Sequence, residues 1–170
     1  MQGSCLITGG ARSGKSSYAL GLASDAARPH FIATAWADDA EMALRVKRHR
    51  AERGSQWTTI ETRLDLGPAI SSACASGAGF IVVDCLTLWT SNILIEDASS
   101  LECRLSELLK ALEQPLPPLA FVTNEVGCGI VPGDSLSREF RDAAGRVNRV
   151  VASAVDSVFL MVCGIPMKIK

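Results

Sequence analysis

The amino-acid sequence predicts an α/β protein with a mostly parallel central sheet flanked by helices. Short apolar runs of strand length alternate with longer segments of helical periodicity, which is the pattern of repeated βα units. The run Phe80–Asp84 is almost entirely apolar, as expected of a central parallel strand that is covered on both faces. The chain has 170 residues and neither an internal repeat nor a flexible linker, so we expect one domain over residues 1–170.

Each predicted element has its own sequence signal. Gly9 and Gly10 stop the first strand, Gly77 and Gly79 end the third helix, and the prolines at 115, 117 and 118 force a loop after the fifth helix. The predicted strands cover residues 4–8, 31–34, 57–61, 80–84, 119–123 and 158–163. The predicted helices cover residues 15–27, 38–53, 66–76, 86–95, 101–113 and 135–154.

Composition and charge exclude several classes of protein. The 17 Lys and Arg residues nearly balance the 18 Asp and Glu residues, so no global attraction to nucleic acid or to an anionic membrane is expected. The longest apolar runs are too short to span a bilayer, and no signal peptide is evident. The six cysteines show neither a CxxC pair nor metal-ligand spacing, which favours reduced thiols and a cytoplasmic protein.

The strongest motif lies between the first predicted strand and the first predicted helix, and it fits the P-loop pattern G-x-x-x-x-G-K-[ST]. Its backbone N–H groups cradle phosphate oxygens, its lysine reaches the β- and γ-phosphates, and its serine hydroxyl binds Mg²⁺. The fold is therefore predicted to be of the P-loop NTPase (RecA-like) kind. The residues predicted to bind the triphosphate are Gly9, Gly10, Ala11, Arg12, Ser13, Gly14, Lys15 and Ser16.

A carboxylate for the metal ion is predicted at Asp84, which ends the apolar strand beginning at Phe80. Side chains at the carboxyl ends of parallel strands face the crevice where open α/β sheets bind ligands. Asp84, together with Ser16, is therefore a candidate Mg²⁺ residue. The alternative is that Asp84 only caps the helix beginning at Leu86.

A basic segment carries one of the only two histidines of the chain. On a helix, Arg45, His49 and Arg53 share one stripe, so an imidazole would lie among guanidinium groups that suit a triphosphate. A neutral imidazole can attack phosphorus as a nucleophile, although such a basic stripe is more often a solvated helix face. The other histidine, His30, lies beside Pro29 and is expected at the surface without a functional role.

Taken together, these segments resemble the bifunctional adenosylcobinamide kinase / adenosylcobinamide-phosphate guanylyltransferases of cobalamin biosynthesis, over essentially the whole chain. The resemblance covers the P-loop, the basic segment around His49, VVDCLTLW at residues 82–89 and NEVGCGIVP at residues 124–132. It also covers FRDAAGRVN at residues 140–148 and the tail GIPMKIK. Thr62 and Arg63 are a departure, because the family often has a proline nearby.

The resemblance implies two successive reactions on a corrinoid. ATP or GTP phosphorylates the hydroxyl of adenosylcobinamide, and GTP then gives GMP to the resulting phosphate through a guanylyl-histidine, with release of pyrophosphate. By the family's motifs the nucleophile is His49, and Lys15 serves the phosphoryl transfer. Further nucleotide-binding positions implied by the family are Thr34, Ala35, Trp36, Arg50, Ala51, Glu52, Arg53, Glu61 and Asp84. The resemblance also implies a homotrimer, so a homo-oligomer is expected.

For three side chains, and for the overall activity, the sequence leaves alternative roles open. Glu125 is predicted either to position the acceptor hydroxyl or a metal-bound water, or to tie down loop N–H groups. Trp57 and Trp89 either stack on a base or the corrinoid, or belong to the core. The rival activities are a single-function P-loop kinase of a small metabolite and a nucleotide-binding switch.

Overall fold

The computed structural model describes residues 3–35 and 53–170, in which seven strands form one sheet. The strands are β1 Ser4–Gly9, β2 Pro29–Ala33, β3 Thr58–Glu61, β4 Phe80–Asp84, β5 Leu119–Val122, β6 Ser157–Val162 and β7 Ile165–Lys168. The helices are α1 Lys15–Leu22, α2 Leu66–Ala75, α3 Leu86–Asp97, α4 Leu101–Leu112 and α5 Ser135–Ala154, with a 3₁₀ turn at Ala98–Ser100. None of the helices in these ranges is both long and apolar enough to cross a membrane.

The strand order is β3-β2-β4-β5-β1-β6-β7, and every neighbouring pair is parallel except β6 with β7. The predicted α/β fold with a mostly parallel sheet is therefore confirmed. The register places Ala33, Asp84 and Val122 in one row at the carboxyl ends of three adjacent strands. Side chains predicted to act on a ligand thus gather along one edge of the sheet.

The alternation of side chains along the strands divides the core into two layers. Residues such as Leu6, Ile81 and Phe121 point to the face that is covered by α2 to α5, where Trp89 is also fully buried. Their neighbours in sequence, such as Ile7 and Val82, point to the opposite face, against α1. Near-continuous apolar strands are thus explained by burial on both faces.

The two layers open a crevice between β1 and β5. The chain leaves β1 toward α1 on one face of the sheet, and it leaves β5 toward α5 on the other. Where adjacent parallel strands connect to opposite faces, their carboxyl ends leave room for a ligand. The phosphate loop predicted after β1 lies at this position.

Two differences from the predicted elements have physical causes. The strand β7 was missed because Pro166 lies inside it, and proline is tolerated there only because β7 is an edge strand. Helix α1 ends at Leu22, since Ala23 N and Ser24 N donate to carbonyl groups three residues back and begin a turn toward β2. The helix predicted over residues 38–53 lies almost wholly outside the described residues.

His30 is not a surface residue, contrary to expectation. It is 3% exposed because β2 has neighbouring strands on both sides. Its Nδ1 lies 3.0 Å from Arg28 O and its Nε2 lies 2.9 Å from Ser76 Oγ. Both ring nitrogens are therefore engaged in structural hydrogen bonds.

Candidate functional site

The P-loop turns through backbone conformations that require glycine. Gly9 has a φ of 145° and Gly14 a φ of 92°, both in the region that other residues rarely adopt. A Cβ atom on Gly9 would lie 2.6 Å from the carbonyl oxygen of Met161 in β6. The loop thus lies directly against the sheet. Gly14 is also the N-cap of α1 and has no side chain to cap its first turn, so the N–H groups there can face an anion.

Lys15 is the central cation of this loop. It is 7% exposed, and its Nζ donates to Gly10 O at 2.5 Å and to Ser13 Oγ at 3.5 Å. Burial lowers the pKa of the Lys15 ammonium, and the nearby Asp84 carboxylate opposes that shift by raising it. The loop therefore holds a desolvated ammonium group where a polyphosphate would be bound, within electrostatic reach of Asp84.

Asp84 is half-buried at the end of β4, and the helix that follows it is capped by another residue. The N-cap of α3 is Cys85, whose Sγ accepts from Leu88 N at 3.4 Å. The alternative that Asp84 only caps this helix is therefore wrong. Burial raises the pKa of the Cys85 thiol to about 11, so this residue stays a neutral cap. The Asp84 carboxylate remains at the crevice edge, one strand beyond β5.

Thr34 is fully buried, and its hydroxyl holds the backbone after Asp84. Its Oγ1 donates to Cys85 O at 2.8 Å and accepts from Cys85 N at 2.7 Å. The amide of Asn92 donates to Thr34 O at 2.9 Å. These contacts support a role for Thr34 in placing Asp84 at the crevice. The next residue, Ala35, is half-buried.

The remaining predicted nucleotide positions are more scattered. Glu61 ends β3, opposite Ala33 and two strands from Asp84 on the same sheet edge. Arg53 is 7% exposed, and its guanidinium carbon lies 3.6 Å from the centre of the Phe31 ring, on the sheet face that α1 covers. Trp36, His49, Arg50, Ala51 and Glu52 lie outside the described residues.

A hairpin at the end of the chain supports the P-loop, and the sequence reading missed it. Gly164 N donates to Ser13 O at 3.1 Å, and a Cβ atom on Gly14 would lie 3.3 Å from Gly164 Cα. Cys163 and Gly164 have φ values of 51° and 83°, as in a two-residue turn between antiparallel strands. A Cys-Gly pair between two apolar runs was the signal that could have revealed it.

The structure shows the contacts of the three side chains for which alternatives were open, Glu125, Trp89 and Trp57. Glu125 is exposed and its Oε1 accepts from Gly127 N at 2.6 Å, so its carboxylate ties down the loop backbone. Trp89 is fully buried and its Nε1 donates to Leu64 O at 2.7 Å, so it belongs to the core. Trp57 is half-buried and packs edge-on against Phe31, with 6.2 Å between ring centres.

The arrangement can bind a polyphosphate and transfer a phosphoryl group. Backbone N–H groups, a buried ammonium and a carboxylate converge at the crevice between β1, β5 and β4. Among the residues in 3–35 and 53–170, no three His, Cys, Asp or Glu side chains group together as a metal site. A metal ion here would therefore need oxygen ligands from a bound phosphate in addition to protein groups.

Comparison with protein families gives a match that covers residues 5–169. The matching family is described as cobinamide kinase / cobinamide phosphate guanyltransferase. A bifunctional adenosylcobalamin biosynthesis protein, CobP, of Pseudomonas aeruginosa is 40% identical over 97% of this chain and 96% of its own length. The bifunctional adenosylcobalamin biosynthesis protein CobU of Salmonella typhimurium is 39% identical over 97% of this chain and 98% of its own length.

Solved structures of much lower sequence identity share the fold. A KaiC-like protein of Pyrococcus horikoshii OT3 matches with a TM-score of 0.52 and 15% identity, over 93% of this chain and 70% of its own. An ATPase from the type III secretion system of pathogenic bacteria matches with a TM-score of 0.58 and 13% identity, over 94% of this chain and 51% of its own. These likenesses confirm the P-loop NTPase (RecA-like) fold.

Proposed function

Because the chain belongs to the cobinamide kinase / cobinamide phosphate guanyltransferase family, we propose that residues 1–170 act as one domain that catalyses both reactions. In the first, ATP or GTP phosphorylates the hydroxyl of adenosylcobinamide. In the second, GTP transfers GMP to the new phosphate, which gives adenosylcobinamide-GDP and pyrophosphate. The observation that carries the proposal is the buried Lys15 ammonium, held in the P-loop within electrostatic reach of Asp84.

In the kinase step, the protein mainly positions the reactants and neutralises charge. The acceptor oxygen forms a bond to the γ-phosphorus while the bond from that phosphorus to the β-γ bridging oxygen breaks, and the acceptor's proton passes to a base or to water. The P-loop N–H groups and Lys15 stabilise the negative charge that develops on the departing diphosphate. The low exposure of Lys15 strengthens its effect, since little water screens it.

We expect Mg²⁺ to be held by the Ser16 hydroxyl and by Asp84, the latter directly or through water. The residues fit this ion, because Ser16 lies on the first turn of α1 and Asp84 ends β4 at the same crevice. Both offer oxygen, the ligand that Mg²⁺ prefers. A bound Mg²⁺ would shield the phosphate charges and orient the triphosphate.

Replacing Asp84 tests this metal assignment. Asp84→Asn removes the charge but keeps the shape, so we expect Mg²⁺ activation of the kinase step to weaken by about 10- to 100-fold. A titration of kinase rate against Mg²⁺ at fixed ATP measures it. Asp25→Asn, at an exposed carboxylate, is the matched control and should titrate like wild type. An unchanged Mg²⁺ dependence in Asp84→Asn would remove Asp84 from the metal site.

For the guanylyl step we assign the nucleophile to His49. The chain has two histidines, and His30 is buried with both ring nitrogens hydrogen-bonded, which makes it unsuitable for attack. An imidazole nitrogen of His49 bonds to the α-phosphorus of GTP as pyrophosphate leaves. A phosphate oxygen of adenosylcobinamide phosphate then attacks the same phosphorus and the imidazole departs. Arg50, Ala51, Glu52 and Arg53, with Ala35, Trp36 and Glu61, are proposed to hold the nucleotide. The buried Thr34 is proposed to act on the nucleotide indirectly, by placing Asp84.

The experiment that tests the proposed function is incubation with α-labelled GTP and Mg²⁺, without acceptor. We expect label that is stable to alkali and labile to acid, on a single peptide that contains residue 49. Label released by alkali, or label on the peptide that contains His30, would contradict the assignment. A protein that phosphorylates adenosylcobinamide but never takes up label would be a single-function kinase. A protein that binds GTP and does neither would be a nucleotide-binding switch.

We also propose that the protein is a cytoplasmic homotrimer that binds no nucleic acid. Exposed apolar side chains at the β6–β7 edge of the sheet support association, because such groups favour burial against another surface. They are Val162, Ile165, Met167 and Ile169. Sedimentation equilibrium of the purified protein should give three times the mass of one chain. A monomeric mass at micromolar concentration would overturn the trimer.

A further inference from the structure

A closed ring of hydrogen bonds lies at the root of the loop that follows β5. Asn124 N donates to Thr87 Oγ1 at 2.7 Å, and the hydroxyls of Thr87 and Thr123 are 3.1 Å apart. Thr123 Oγ1 donates to Asn148 Oδ1 at 2.7 Å, and Asn148 Nδ2 donates back to Asn124 O at 3.3 Å. The ring therefore begins and ends on the backbone of one residue, Asn124.

Hydrogen-bond valence fixes the direction of every bond in this ring. The side-chain carbonyl of Asn148 can only accept, so the hydroxyl proton of Thr123 must point to it. The 3.1 Å contact between the two threonines then requires Thr87 to donate to Thr123. All the bonds run in one sense around the ring, an arrangement in which each bond polarises the next.

The ring joins separate elements beside the P-loop. Thr87 lies in the first turn of α3, Thr123 directly follows β5, and Asn148 lies on α5. Thr87 is 7% exposed and Thr123 is fully buried, and the amide groups of Asn124 and Asn148 that they contact are half-buried, so removing either hydroxyl would break the ring at a site with little access to water. The residue after Asn124 donates its N–H to Gly9 O in the P-loop at 3.1 Å. The root of this loop is thus fixed relative to the phosphate site.

We propose that Thr87, Thr123 and Asn148 are positioning residues for the phosphoryl acceptor. The loop whose root they fix, residues 124–134, leaves the sheet between the P-loop and Asp84, where an acceptor would approach the γ-phosphate. It exposes Ile130 and Val131 by 98% and 61%, an apolar surface suited to the periphery of a large macrocycle. This inference rests on the proposed function, since it takes a corrinoid alcohol as the acceptor. A small displacement of an acceptor relative to the γ-phosphate is enough to slow transfer.

Removing single hydroxyls while keeping side-chain shape tests the proposal. For Thr87→Val and Thr123→Val we expect kcat/KM for adenosylcobinamide to fall by about tenfold, the factor that matches one lost hydrogen bond. The Kd for ATP, measured calorimetrically without acceptor, should stay within about twofold of wild type. Thr87→Ser and Thr123→Ser keep the hydroxyls and should restore kcat/KM. A purely structural role would not separate acceptor kinetics from nucleotide affinity in this way.

Thr90→Val is the matched control. Thr90 is also fully buried on α3, but its hydroxyl donates to Leu86 O at 2.8 Å within the same helix and does not contact the loop. We expect a comparable fall in Tm and an unchanged kcat/KM for the acceptor. The proposal is overturned if Thr87→Val and Thr123→Val match Thr90→Val in acceptor kinetics, or if they weaken ATP binding as much as acceptor use.

The proposed function and the positioning role of the ring can be overturned separately. If wild type phosphorylates adenosylcobinamide and the valine variants do so equally well, only the positioning role is wrong. If wild type shows no transfer to adenosylcobinamide, the proposed function is wrong and the acceptor role of the ring is overturned with it.

Discussion

Lys15→Ala should lower kcat/KM for phosphorylation of adenosylcobinamide by at least about 10²- to 10³-fold, the range seen when one preorganised charge-stabilising group is removed from an active site. The Lys15 ammonium lies in a P-loop whose only other side-chain cation is Arg12, an exposed residue. Its loss leaves the charge that develops on the departing diphosphate without a buried counter-charge. Initial rates at saturating ATP and varied adenosylcobinamide measure the effect.

The Tm of the Lys15→Ala variant distinguishes a loss of charge stabilisation from misfolding. Burial lowers the pKa of the Lys15 ammonium, which means that the folded state disfavours its charged form relative to the unfolded chain. Removing the buried charge favours the folded state, whereas losing the hydrogen bonds to Gly10 O and Ser13 Oγ disfavours it, so the Tm of the nucleotide-free protein should change little. Lys15→Met keeps most of the length of the side chain without its charge and should lose activity like Lys15→Ala. Lys110→Ala, on the exposed side of α4, should behave as wild type. A kcat/KM for Lys15→Ala within about threefold of wild type would exclude the P-loop from phosphoryl transfer.

His49→Ala should abolish guanylyl transfer and leave the kinase step in place. Without the imidazole no bond can form to the α-phosphorus, so covalent label from GTP should fall to background and GMP transfer by about 10³-fold or more. Adenosylcobinamide phosphate should then accumulate when ATP and acceptor are supplied. Chromatography of the corrinoid products, together with the label on the protein, gives both readouts from one incubation.

His30→Gln is the matched control for this prediction. His30 is buried between β3 and β4 and bonds to Arg28 O and Ser76 Oγ, so its replacement should lower Tm. Label and transfer should nevertheless persist at a temperature where the variant is folded. Label that persists in His49→Ala and disappears in His30→Gln would reverse the assignment.

The sequence predicted the parts of this molecule that are encoded locally. The P-loop and the strand ending in Asp84 both have strong short-range signals, and helix α5 was predicted with its observed bounds, Ser135–Ala154. The burial of His30 was not predictable in this way, because it depends on two strands that come from other parts of the chain. Strand β7 was hidden by Pro166, whose place at a sheet edge is known only once the strand order is known.

The residues of the candidate site likewise fall into those with a local sequence signal and those without one. Lys15 was identified from the P-loop motif, and Asp84 from its position at the end of a recognisable strand. The ring of Thr87, Thr123 and Asn148 carries no such signal. Threonine and asparagine are common residues, and these three meet only because β4 lies beside β5 and α5 packs over the same face. Their contribution becomes visible only in three dimensions.

The position of β1 inside the sheet, between β5 and β6, has a consequence for biosynthesis. The strand that leads into the P-loop is the first of the seven to be made, yet it pairs with β5 and β6, which come much later in the chain, with Ser4 beside Leu119 and Cys5 beside Ser157. Such distant pairings form slowly because the intervening chain must be ordered first. A nascent chain that has not yet emerged through β6 therefore cannot shape the cradle or retain a triphosphate. Nucleotide affinity should therefore appear only after β6 has been made, and it can serve as a marker that the sheet has formed around β1.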